Sequence, residues 1–185
     1  MRLRIRALSA ALCLGLVGLT GCTSATPEDV VRKDCSHWDL PKPQIDSSEL
    51  VTNLGWVSDH ADILSAAVEA KIARQLQQLE SATQHQVVVV TVENLHRVPI
   101  ADYTRALGNT WGVGRVGEND GVILLVAPNE REVRIAVACG LETVLTDQKA
   151  SNIIQTVILP YFREGQYESG VSEGITRIAR TLESD

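Results

Sequence analysis

The sequence is poor in aromatic residues, with three Trp, three Tyr and one Phe among 185 residues. That is too few for the stacking platform of a single-strand binder. Basic residues are also short: 17 Lys and Arg stand against 23 Asp and Glu, for a net charge of −6. A nucleic-acid binder normally shows a basic face, so this class is excluded as a partner. His37, His60, His85 and His96 have no zinc-ligand spacing. Cys-x5-Arg, Asp-x-Asp and Arg-His-Gly, which mark known phosphatase chemistries, are absent as well. What remains is a chain that is 44% hydrophobic, which suits one domain of up to about 150–200 residues plus a short added segment.

The added segment is at the front. Arg2, Arg4 and Arg6 are followed by an uncharged, mostly apolar run from Ala7 to Leu19. The run is short for a membrane span, which needs roughly 20 residues, and suits a signal-peptide core. Leu19-Thr20-Gly21-Cys22 resembles the lipobox of bacterial lipoproteins. The resemblance implies cleavage before Cys22 and acylation of Cys22, with localisation at the cell envelope, on its periplasmic or other extracytoplasmic side. Loss of residues 1–21 removes three arginines and no acid, so the mature chain is more acidic by three charges. Membrane attachment would therefore rest on the lipid alone.

Cys13 leaves with the leader and Cys22 carries lipid, so Cys35 and Cys139 remain in an oxidising compartment. An even remainder there favours a disulfide. The loop it closes would restrict the unfolded chain by at most about 4–5 kcal/mol. The alternative is two separate thiols, with Cys139 packed as a small apolar residue.

The expected organisation is a signal peptide over 1–21, a lipidated polar tether over 22–54 and a domain over 55–185. In the domain, Leu64, Val68, Ile72, Leu76 and Leu79 form a helical stripe that Ser65 can cap. Val87 to Val92 reads as a strand covered on both faces. Ile100, Tyr103, Leu107 and Trp111 form a second helix starting near Pro99. Gly121 to Ala127 and Val133 to Cys139 are strands joined by the Pro128–Arg131 turn, hence antiparallel. Ile154 to Tyr161 is helical, with Pro160 ending or kinking it. Val171, Ile175, Ile178 and Leu182 line a last helix. The fold class is α/β: a single-domain sandwich with a mixed central sheet, one parallel pair plus an antiparallel hairpin strand, and helices on both faces.

Two motifs fail on context. Gly112-Val113-Gly114-Arg115-Val116-Gly117 matches G-x-G-x-x-G, yet follows a helix and precedes a strand, the reverse of a dinucleotide site. Gly170-Val171-Ser172-Glu173-Gly174 matches G-x-S-x-G, yet lies on the last helical stripe with no strand leading into it. Cys139 beside His85 or His96 is no better, because a thiol ending a buried strand is inert. The sequence supports no catalytic residue.

A wider pattern carries more information. Its pieces are Val57-Ser58-Asp59, Thr83 to Val92, Trp111-Gly112-Val113-Gly114, Asn119 to Ala127, Arg131 with Val133 to Ile135, Gly140-Leu141-Glu142, Asp147, and Pro160 to Tyr167. Together they resemble the TPM domain family over about residues 55–182. Gln84 replaces the usual glycine after Thr83, and Ala138-Cys139 departs from the glycine-tyrosine pair before Gly140. The resemblance implies an α/β sandwich, divalent-cation binding in some members, and a disputed acid-phosphatase activity in a plant member.

Strand directions suggest a site for a divalent cation, calcium or magnesium. Asp120 precedes one strand, Glu142 follows its antiparallel neighbour, and Asp147 starts a helix, so three carboxylates share one sheet edge, with Glu118 nearby. Equally open is the reading of Asp147 as a helix-dipole partner and Glu142 as a surface acid. At the other edge, Asp59 and Arg131 are expected to form a structural ion pair, close to Glu93. The functional expectation is a lipid-anchored, non-catalytic envelope protein that binds a cation and an envelope protein partner. The rival is a metal-assisted acid phosphatase acting on phosphomonoesters through the same three acids.

Overall fold

The computed structural model describes residues 45–184, without the side chain of Ser47. The leader, Cys22 and Cys35 lie outside the described residues. Four strands form one sheet in the order β1-β2-β3-β4: β1 Val57–Asp59, β2 Gln86–Thr91, β3 Gly121–Ala127 and β4 Glu132–Val137. The first three are parallel, and β4 returns antiparallel to β3. The helices are α1 Ala66–Thr83, α2 Ile100–Trp111, α3 Asp147–Ile153, α4 Leu159–Arg163 and α5 Tyr167–Leu182.

The valine run of β2 divides between two cores. Val87 and Val89 face the layer built from α1, α3 and α5, whereas Val88 and Val90 face α2. β3 alternates in the same way, with Val122, Leu124 and Val126 opposite Ile123, Leu125 and Ala127. Period-two geometry with apolar residues at every position requires cover on both faces, and the fold supplies it.

The helical stripes fall where the spacing puts them. Ile72, Leu76 and Leu79 of α1 are buried, as are Val171, Ile175, Ile178 and Leu182 of α5. Ser65 stands at the N-cap of α1, but its side chain caps nothing; its own N–H donates to Glu168 Oε1 at 2.6 Å, tying α1 to α5. Trp56 Nε1 donates to Glu80 Oε2 at 2.7 Å and fixes the other half of the helix.

Three features differ from expectation or sharpen it. β1 escapes sequence reading because three residues show no period. Residues of the expected tether pack onto the domain: Leu50 and Val51 lie against the α2 core, Tyr103 Oη donates to the Glu49 carbonyl (3.1 Å), and Trp111 Nε1 donates to that of Val51 (3.2 Å). Pro160 does not end its helix. A π-helical turn over Ile154–Ile158, where the Leu159 N–H reaches the Ile154 carbonyl, widens the backbone just ahead of the proline ring.

The G-x-S-x-G segment lies inside α5, and packing explains its glycines. A Cβ on Gly170 would sit 2.6 Å from the Phe162 ring, and one on Gly174 would sit 2.8 Å from Ile158. They let α5 approach the π turn and α4 closely. Ser172 is a half-buried helical residue.

Candidate functional site

The parallel strands give the sheet an amino edge, where β2 and β3 begin and β4 ends, and a carboxyl edge. At the amino edge, α2 runs into a nine-residue loop that must turn back to β3. Gly112 closes α2 in the left-handed region at φ 66°, and Gly114 follows at φ 97°. A Cβ on Gly114 would lie 2.6 Å from the Gly121 nitrogen, so the loop is pressed against the start of β3. The Gly114 N–H donates to Gln86 Oε1 at 2.7 Å.

Asp120 holds this loop. Only 3% of the residue is exposed. Its Oδ1 accepts the Arg115 backbone N–H at 2.7 Å, and its Oδ2 accepts Arg115 Nε at 2.7 Å with Nη2 at 2.6 Å. Burial alone would raise the Asp120 pKa. The hydrogen bonds and the positive charge of Arg115 together outweigh it and hold the carboxyl below its ordinary value. His85 Nδ1 lies 3.7 Å from Oδ2, buried and without a hydrogen-bond partner.

β4 delivers a second turn to the same place. The Ala138 N–H donates to the Gly121 carbonyl at 2.8 Å and the Gly140 N–H to that of Asn119, also at 2.8 Å. A Cβ on Gly140 would lie 2.0 Å from the Glu118 carbonyl oxygen, so only glycine fits. Cys139 opens a short 3-10 turn to Leu141, and Glu142 caps it. Thr146 caps α3 by accepting the Lys149 N–H, and Asp147 stands exposed in its first turn.

The three acids expected to share this edge play different parts. Among the described residues, no three or more His, Cys, Asp or Glu side chains form a group able to hold a metal. Asp120 turns both oxygens to Arg115, Glu142 has interactions of its own, and Asp147 complements the α3 dipole from the surface. A guanidinium already sits where a cation would approach Asp120, so the donor set does not fit a calcium or magnesium ion there. The Arg115–Asp120 contact is not legible in the sequence, because a bidentate contact made across a glycine loop leaves no period or spacing.

The carboxyl edge corrects the second expectation. Among the described residues Asp59 and Arg131 form no ion pair. Asp59 Oδ1 accepts the Thr91 hydroxyl and the Ile63 N–H, and Oδ2 accepts the Leu64 N–H at 2.9 Å. Arg131 is exposed in the hairpin turn at φ 58°. Both stand at the same edge, but β1 and β4 are the two outer strands, so two strands lie between them. Glu93 takes part through its carbonyl, which accepts Asn129 Nδ2 at 2.7 Å, while Glu130 Oε1 accepts the Leu95 N–H at 2.9 Å.

Several solved structures share this architecture. The N-terminal domain of a protein from P. gingivalis is 34% identical, with a TM-score of 0.66, covering 70% of this chain and 82% of that one. The BA42 protein of the psychrophilic bacterium Bizionia argentinensis is 20% identical, with a TM-score of 0.57 and coverage of 65% and 82%. The N-terminal domain of cg2496 from Corynebacterium glutamicum is 14% identical, with a TM-score of 0.54 and coverage of 78% and 88%; these last two likenesses are of fold. No curated protein matches the sequence. The sequence model of the TPM domain matches residues 57–181, from β1 almost to the end of α5, and the chain belongs to the TPM domain family.

Proposed function

We propose that the protein is a lipid-anchored envelope protein, acylated at Cys22, whose TPM domain is a non-catalytic module that binds a protein partner. The observation that carries this reading is the Asp120–Arg115 lock. It spends the buried carboxylate on holding a loop, and that loop presents Val116 fully exposed at 103%. A glycine-framed loop held by a buried carboxylate, with an apolar tip, suits contact with another protein. The buried hydroxyls are spent in the same way: Thr91 donates to Asp59, Thr104 to the Ile100 carbonyl, and Ser58 accepts the Leu54 N–H. The reading includes a Cys35–Cys139 disulfide, supported by the burial of Cys139 beside β4 and by its having a partner.

A photo-crosslinking residue at position 116 in envelope-bound protein tests it. The expected result is a discrete adduct with one protein at 116 and none at exposed position 74 on α1, lost from the membrane fraction when Cys22→Ser blocks acylation. Turnover of a chromogenic phosphomonoester that Asp120→Asn abolishes would instead establish the phosphatase. A thermal shift with millimolar calcium or magnesium, likewise abolished by Asp120→Asn, would restore a cation at that edge.

A further inference from the structure

We propose that Arg105 and Arg134 form an oxyanion-binding cradle on the α2–β4 flank, separate from the Asp120 edge, which takes a carboxylate or phosphate group. α2 packs on β4 as well as β3. A Cβ on Gly108 would lie 3.0 Å from Ile123 Cδ1, which fixes how α2 lies along β3. Because α2 runs back against the strand direction, Arg105, nearly one turn earlier, is carried toward Leu125. Leu125 is paired across the hairpin with Arg134. Ala136 packs with the α2 core, and Arg134, two residues before it, stands on the same face of β4.

Both arginines are under-satisfied there. The Nε of Arg105 and the Nε of Arg134 are buried and have no hydrogen-bond partner. Arg105 gives Nη2 to Asp102 at 2.7 Å, while its side chain stays 22% exposed. Among the described residues, Arg134 has no hydrogen-bond or ion-pair partner. A buried N–H without an acceptor is costly, so two on one flank ask for an explanation. On this placement the two guanidinium groups repel until an anion comes between them, and an oxyanion accepts from both, drawing in each Nε–H after a small side-chain rotation. The net acidic chain keeps extended polyanions away, which leaves a single compact group as the ligand.

Inorganic phosphate and acetate are the probes, titrated at constant ionic strength with chloride into the whole chain in detergent while the arginine Nε–Hε resonances are followed. Saturable shifts confined to Arg105 and Arg134 are expected. Arg134→Gln and Arg105→Gln should each weaken the apparent affinity at least about tenfold, as loss of a charge-assisted bond demands, and Arg74→Gln on α1 should leave it unchanged. Arg134→Lys, which keeps the charge and removes the fork, guards against a folding defect and should also weaken binding. Saturation by phosphate alone would assign the site to phosphate-bearing ligands, and saturation by both to oxyanions at large. Linear, unsaturating shifts, or an equal loss in Arg74→Gln, would overturn the proposal.

Discussion

The two edges of the sheet each bind a carboxylate, and they do so by opposite means. At the carboxyl edge, Asp59 is surrounded by neutral donors: a threonine hydroxyl and two backbone N–H groups. At the amino edge, Asp120 is almost wholly buried and meets a full positive charge on Arg115. The first arrangement shapes a short connection into α1 and needs no partner from elsewhere. The second closes a loop from α2 on itself and draws the β4 turn against it. In open α/β sheets ligands usually sit beyond the carboxyl ends of the strands, yet here the charged, glycine-rich edge is the amino one. Charge concentrated at one edge therefore marks a structural lock as readily as a site of chemistry.

The sharpest way to break the amino edge is at Gly140. A Cβ there would press on the backbone oxygens of Glu118 and Asn119, at 2.0 and 2.6 Å, where no flexible side chain can give way. Gly140→Ala should cost about 3 kcal/mol, the upper range for overpacking, and should shift amide resonances of 112–120. An unchanged denaturation midpoint would mean that the two turns are not in contact.

Paired substitutions sharpen the contrast between the two acids. Asp120→Asn removes the charge that Arg115 answers and should cost about 2 kcal/mol at neutral pH, with Arg115 half exposed so that water offsets part of the loss. Asp59→Asn keeps an acceptor for neutral donors and should cost about 1 kcal/mol. The lowered Asp120 pKa fixes the pH dependence. Its contribution is complete above the ordinary value of 3.8 and is lost as the pH falls through the lowered folded-state value. The gap between wild type and Asp120→Asn should therefore close in acid. A gap that persists there would show that Asp120 acts through shape and not through charge.

These contrasts also show what the sequence could reveal. Strands β2 and β3 and the stripes of α1, α2 and α5 were legible because burial imposes a period on consecutive residues. The shared edge of Asp120 and Glu142 was legible because a short hairpin turn dictates antiparallel return. The fate of Asp120 was not. Whether a carboxylate faces a cation, an arginine or water depends on how a glycine loop folds back, and Arg115 carries no mark distinguishing it from Arg131. Asp59 and Arg131 were paired in expectation because edge was known while lateral strand order was not. Once β1 is seen as the outer strand opposite β4, the pair is too far apart.

The smallest effect concerns the helix end that feeds β2 into the amino edge. Gln84 closes α1 at φ 67°, in the left-handed region, with its N–H on the Glu80 carbonyl at 2.8 Å. A residue with a Cβ pays for that conformation, and glycine does not. The Gln84 side chain is exposed, so glycine forfeits little burial there. The turn is already held on either side, since Thr83 Oγ1 donates to the Leu79 carbonyl and accepts the His85 N–H. Glycine's larger freedom in the unfolded chain offsets part of the relief. Gln84→Gly should then stabilise the domain by about 0.5–1 kcal/mol, read as a higher urea midpoint at an unchanged slope. A lower midpoint would show that entropy outweighs strain at this position, and that the threonine bonds alone had been enough to hold the helix end in place.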